Sequence, residues 1–168
     1  VSSPSFNPNL FVTGISSKDY SGLRDNLDQP LYNRAVQGVY PPGSTIKPMF
    51  GLGGIHYGLV DWGTAISDPG YFNLPGDSHR FRDHKKTGHG AVNLHKAEVV
   101  SCDTYFYILS YRMGIEKMND WMRQFGFGEK TGVDLPSESS GLYPSPEWKM
   151  RTRKSKWLKG ETISVSIG

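Results

Sequence analysis

"VYPPGSTIKP", residues 39–48, is the stretch from which the rest of the chain can be read. Pro41, Pro42 and Gly43 fix how the backbone enters a helix that begins near Ser44, and Lys47 follows three residues later. At i and i+3 the two side chains share a helix face. A serine hydroxyl is a poor nucleophile until a base lies beside it, and a lysine serves as that base when burial or nearby cations favour its neutral amine. The first turn adds a field that favours negative charge on Ser44 and free N–H groups that can help form an oxyanion hole. The same residues are also the pattern of an N-cap serine and a solvated lysine, so the pattern needs a structural context.

Downstream, the helix is expected to fade by Gly58. Gly51, Gly53 and Gly54 lower its intrinsic propensity, so tertiary packing must hold it. Upstream, residues 1–40 read as loop-rich, punctuated by Pro4, Pro8, Gly14, Gly22 and Pro30, with a short extended piece in "LFVTGI". Between Leu59 and Gly90, aromatic residues separated by Asp-Pro-Gly and Pro-Gly signals predict short strands and hairpins. Asn93 caps a helix through about Val100, and Thr104–Met113 forms another closed by Gly114. Ile115, Met118, Met122 and Phe125 then carry helical spacing to a stop at Gly126. Residues 125–148 are turn-rich. The basic run Lys149, Arg151, Arg153, Lys154, Lys156 and Lys159 reads as a solvated loop pinned by Trp148 and Trp157, rather than as a contact for anionic glycan or lipid headgroups. "TISVSI" alternates as a strand does. The expected class is α+β: a helical middle with small strands around it.

The 168 residues suffice for one domain and are short for two. A net charge of +3 is too small to argue for nucleic acid, and no apolar stretch reaches membrane-spanning length. The single Cys102 excludes an internal disulfide. Val1 opens in mid-phrase and "ETISVSIG" stops on an apparent strand, so the chain is expected to be a piece of a longer one.

"VVSCDTYFY" supplies Ser101 and Asp103 between two helices, a second hydroxyl and a carboxylate able to face Ser44 and orient Lys47; each is also a plausible cap for the helix that follows. "NRAVQGVYPPGSTIKP", "SCDTYFYILSYRMGI", "FGFGEKTGVDLPSE" and "GETISVSIG", in this order, resemble class B penicillin-binding proteins of the cell-elongation branch over nearly the whole chain. That resemblance implies the penicilloyl-serine transferase fold, here mainly its helical subdomain with an incomplete sheet. Residues 1–168 would be a partial transpeptidase domain. It further implies a Ser44 acylated by D-Ala-D-Ala stem peptides of peptidoglycan and by β-lactams, with Lys47 as base and Ser101 and Asp103 as the second motif, where many relatives carry Asn in place of Asp. The implied partners are elongation-machinery membrane proteins. The implied location is the periplasmic face of the inner membrane, with the anchor outside this chain.

The family's third motif, Lys-Ser/Thr-Gly on a cleft strand, lies well beyond the second. Lys86-Thr87-Gly88 precedes the second motif and Lys130-Thr131-Gly132 sits inside "GEKTGVDLP", so both read as loops and the third motif is expected to be missing. Two alternatives from other classes stay open: a non-catalytic, zinc-stabilised structural or partner-binding fragment, and a serine β-lactamase or β-lactam sensor.

Between the two motifs stand Asp68, Asp77, His79, Asp83, His84, His89, His95 and Cys102. With Ser101 and Asp103 facing a cleft, Cys102 points into the protein. A thiolate, an imidazole and carboxylates suit tetrahedral Zn²⁺. The preferred set is Asp68, Asp83, His89 and Cys102, which resembles the arrangement in zinc-bearing members of the same branch; His84 or His79 could replace one of them. Four protein ligands leave no open position for water, which makes such a metal structural.

Overall fold

The computed structural model describes residues 3–168, and the chain divides into two compact units. One runs to Tyr40 and includes Glu129–Gly141; the other comprises Pro41–Gly128 and Leu142–Gly168. The loop-rich start is organised with a segment almost a hundred residues away.

The first unit is thinly packed: among its described residues Pro30 alone is buried. Local hydrogen bonds define it. Helix α1 (Ser17–Arg24) starts where the Ser16 hydroxyl accepts from the Asp19 N–H at 3.0 Å and itself donates to the Asp19 carboxylate at 2.6 Å. Helix α2 (Arg34–Gln37) is one turn capped by Asn33, and the Ser139 N–H donates to the Val36 carbonyl at 2.8 Å. The expected extended piece in "LFVTGI" is not formed, because Asn7 caps a 3-10 turn over Pro8–Phe11 and Pro8 supplies the fixed φ that such a turn needs.

The second unit holds the core. A 3-10 turn, Gly43–Ile46, feeds helix α3 (Lys47–His56), and Asn93 caps α4 (Leu94–Val99) through its side chain, as expected. Helix α5 (Asp103–Arg123) is continuous except at Gly114, whose φ of 75° and ψ of 157° break it where the sequence indicated. The glycines of α3 are its packing surface. A methyl on Gly51 would come within 2.9 Å of Leu94 from α4, and one on Gly53 within 2.8 Å of the Trp121 ring from α5. Their cost in propensity is offset by helix–helix approach around Ile46, Phe50, Leu94, Tyr105, Phe106, Leu109, Met118 and Met122.

Two small antiparallel pairs lie beside this core. Strand β1 (Ile66–Asp68) pairs with β4 (Gly90–Val92), with Asp68 opposite Gly90; β2 (Tyr71–Phe72) pairs with β3 (Phe81–Arg82). The basic run is a loop only at Lys154 and Lys156, and its first half is helical. Ser145 caps α6 (Pro146–Arg153), Pro146 occupies its first position and Glu147 its first turn. "TISVSI" is not a strand: α7 (Lys159–Val165) takes up its first four residues and a turn follows. Its apolar residues satisfy both periods, since Ile163 and Ile167 are four apart. Burial of Thr162, Ile163 and Ser166, together with a cap from Glu161, selects the helix.

Candidate active site

Ser44 sits exposed in the 3-10 turn, one turn ahead of the wholly buried Lys47. The two side chains meet through a third. The Ser101 hydroxyl donates to Ser44 Oγ at 2.9 Å and accepts from Lys47 Nζ at 3.1 Å. Lys47 also donates to the Ser101 carbonyl at 2.9 Å and to Asp103 Oδ1 at 2.6 Å. Three acceptors thus match the three N–H bonds of an ammonium group, and the ring of Phe106 closes the remaining side with its centroid 5.5 Å away.

Ser101 reaches this position through a left-handed backbone, φ 51°, at the bend between α4 and α5. The bend turns Cys102 fully inward while its neighbours face Lys47. The other carboxylate oxygen, Asp103 Oδ2, accepts from the backbone N–H of His84 at 3.3 Å. That contact has no sequence signal, because a backbone amide carries none. On the opposite side, Gly168 lies with its backbone against Gly43, so close that any side chain on Gly168 would strike the turn that carries Ser44.

Behind the bend, Asp68, Asp83, His89 and Cys102 each place a ligand-type atom within 4.8 Å of the others. His89 Nδ1 lies 2.8 Å from Asp68 Oδ2 and 3.7 Å from Asp83 Oδ1, and Cys102 Sγ lies 3.4 Å from Asp68 Oδ2. Backbone donors orient both acids: Gly70 bonds Asp68, while Lys85 and Thr104 bond Asp83. Burial alone would raise the Asp68 carboxyl, but the donors around it, Gly70 and His89 among them, hold it at about 2. Burial pushes the Cys102 thiol up, and the two neighbouring carboxylates push it further. Two buried carboxylates and a thiol around one imidazole are a donor set that a divalent cation fits. Of the alternatives, His84 stands 3.1 Å from Asp83 on the exposed side and forms a second possible group with Asp83 and Asp103, whereas His79 packs on Phe81 and is in neither.

The transpeptidase domain of penicillin-binding proteins matches residues 1–168. The chain belongs to this transpeptidase family. It is 83% identical over its full length to the peptidoglycan D,D-transpeptidase MrdA of Acinetobacter baumannii, of which it spans 25%. It superimposes on Pseudomonas aeruginosa PBP2, solved in complex with WCK 5153, with a TM-score of 0.96 at 49% identity, covering all of this chain and 38% of that one. PBP2 from Helicobacter pylori, solved in a complex with MreC, gives 0.94 at 42% identity, covering all of this chain and 31% of that one. The chain thus spans about a quarter of the curated relative's length.

As a penicillin-binding transpeptidase fold, the chain is helix-rich with few short strands and no closed sheet among the described residues. Neither Lys-Thr-Gly copy lies on a strand. Gly88 packs its backbone against Asp68 and Gly70, beneath the acidic cluster, and Thr131 and Gly132 donate to Glu138 in the other unit. No helix among the described residues is long and apolar enough to cross a membrane.

Proposed function

We propose that the protein carrying this chain is a peptidoglycan D,D-transpeptidase of cell-wall elongation, and that Ser44 is its nucleophile. The observation that carries the proposal is the unbroken row Ser44–Ser101–Lys47–Asp103. Ser44 Oγ attacks the carbonyl carbon of the penultimate D-Ala of a stem peptide. Its proton passes by way of Ser101 Oγ to Lys47 Nζ, which must first have shed one of its three N–H protons. The C–N bond to the terminal D-Ala breaks, the departing amine takes the proton back along the row, and an ester remains on Ser44. The amine of a second stem attacks that ester and loses a proton as Ser44 Oγ regains one, which completes the cross-link. Asp103 holds the lysine in place throughout. A β-lactam enters by the same attack, but its opened ring keeps the leaving nitrogen tethered, so the ester persists.

Asp68, Asp83, His89 and Cys102 would hold a structural Zn²⁺, which when bound fastens the start of α5 to the strand pairs. The relatives' names and the complex of one of them with MreC support a setting beside elongation-machinery membrane proteins at the periplasmic face of the inner membrane, anchored outside this chain. The test is intact mass of the full-length protein after benzylpenicillin. A stable adduct on the parent and none on Ser44→Ala is expected. Mass unchanged in a folded parent would overturn the assignment, and steady hydrolysis of the drug would make the protein a β-lactamase.

A further inference from the structure

Glu98 lies on α4, three residues before Ser101, and its Oε1 is shut off from solvent without a hydrogen-bond partner. An unpartnered buried carboxylate oxygen is costly, and such groups concentrate where they serve chemistry. Its position is specific. A methyl on Gly51 would come within 3.3 Å of Glu98 Oε1, and Gly51 is one helical turn beyond Lys47 on the same face of α3. The bare Gly51 backbone leaves the room in which the carboxylate stands against α3. Burial pushes the Glu98 carboxyl up, and the Lys47 charge pulls it part of the way back, so the two groups sense each other through the protein interior.

The groups facing Glu98 are few. Lys47 approaches from α3. From α5 comes Tyr105, whose buried hydroxyl also lacks a partner and is pushed up to about 12, chiefly by burial. Arg112 and Asp61 act on Tyr105 with opposite signs. His95 and Lys96 share α4 with Glu98, and Lys96 is engaged with the His89 and Ala91 carbonyls.

We infer that Glu98 is a positioning residue for acyl transfer, a buried carboxylate one turn of α3 from Lys47 whose charge biases the amine from outside its hydrogen-bond shell. This rests on Lys47 being the base proposed above. With Glu98 neutral, Asp103 is the sole negative charge beside the amine. With Glu98 ionised, a second one favours the ammonium, which cannot take the Ser44 proton. Glu98 therefore sets where on the pH scale acylation rises, without touching substrate.

The test is the pH profile of the second-order acylation rate with a fluorescent penicillin, measured on the full-length protein, Glu98→Gln, Glu98→Asp and Lys47→Ala, with thermal unfolding of each. The glutamine is isosteric and permanently neutral. Its rising limb should move to lower pH by about one unit, the order of a shift caused by removing a nearby buried charge, while Glu98→Asp keeps the parent profile. A Glu98→Gln profile that superimposes on the parent, or a rate lowered equally at every pH, would overturn the inference and leave the base assignment standing, provided Lys47→Ala is inert. A Lys47→Ala protein that acylates normally would overturn the base assignment and this inference with it.

Discussion

Ser101 does two jobs with one backbone conformation. Its φ of 51° places the hydroxyl between Ser44 and Lys47 and sends its carbonyl to Lys47 as well. A left-handed residue other than glycine costs about 1–2 kcal/mol, and such strain persists where the surroundings enforce it. Ser101→Gly and Ser101→Ala both delete the hydroxyl, but only the glycine relieves the backbone. The glycine variant should unfold about 1 kcal/mol later than the alanine variant in urea. Both should acylate roughly 100-fold or more slowly than the parent, because each lacks the proposed relay between Ser44 and Lys47. Stability and rate therefore part company at one position, and measuring both separates strain from chemistry.

Among the elements, α3 and α7 show packing and capping outvoting local preference. Gly53→Ala should raise intrinsic helicity by about 1 kcal/mol. The added methyl meets the Trp121 ring at 2.8 Å, however, and that ring is held by its N–H bond to the Met49 carbonyl at 2.7 Å and by stacking on His56. Overpacking against a ring that cannot yield costs roughly 1–3 kcal/mol, so the variant should lose stability by about 1 kcal/mol in urea unfolding. In α7, Glu161 accepts from the Leu158 N–H at 2.7 Å and pairs with Lys149 at 2.6 Å. Partial burial alone would raise its carboxyl, but the lysine and the amide outweigh burial and hold it below the ordinary range. A depressed carboxyl stabilises the fold above the unfolded value, and that contribution is lost as pH falls through the folded one. Glu161→Gln keeps an acceptor for the amide but drops the solvent-screened charge, so it should cost roughly 0.5 kcal/mol at neutral pH and progressively less towards acid, visible as converging thermal midpoints.

For the whole molecule, the decisive contacts join places far apart in sequence. Asp68, Asp83, His89 and Cys102 come from β1, the segment after β3, the residue before β4 and the cap of α5. One zinc per chain is expected by elemental analysis. Chelation should lower the thermal midpoint by several degrees, with recovery on adding zinc and none in Cys102→Ser.

The two polar motifs, the Asn93 cap and the break at Gly114 were legible in the sequence because they rest on side-chain type and spacing, whereas the set Asp68, Asp83, His89 and Cys102 has no tight ligand spacing and was singled out by family resemblance. Less legible were features set by competition. "TISVSI" carries period two and period four at once, and only burial against α5 decides between them. The starts of α1 and α6 were announced by Ser16 with Asp19 and by Ser145-Pro146-Glu147, cap signals outweighed by the surrounding turn formers and basic residues. That Lys47 reaches Ser44 through Ser101, and that Glu98 stands against Gly51, follow from the crossing of α3 with its neighbours, which no local pattern encodes.

The inward turn of Cys102 has a practical consequence. Its sulfur is the chain's single thiol and is sealed from solvent, while the residues on either side belong to the proposed catalytic row. A thiol reagent reaches it only when its surroundings open, and an opening at this bend moves Ser101 and Asp103 with it. The labelling rate of one atom is thus a clock for how often the row comes apart, and a bound inhibitor that steadies the row should slow it.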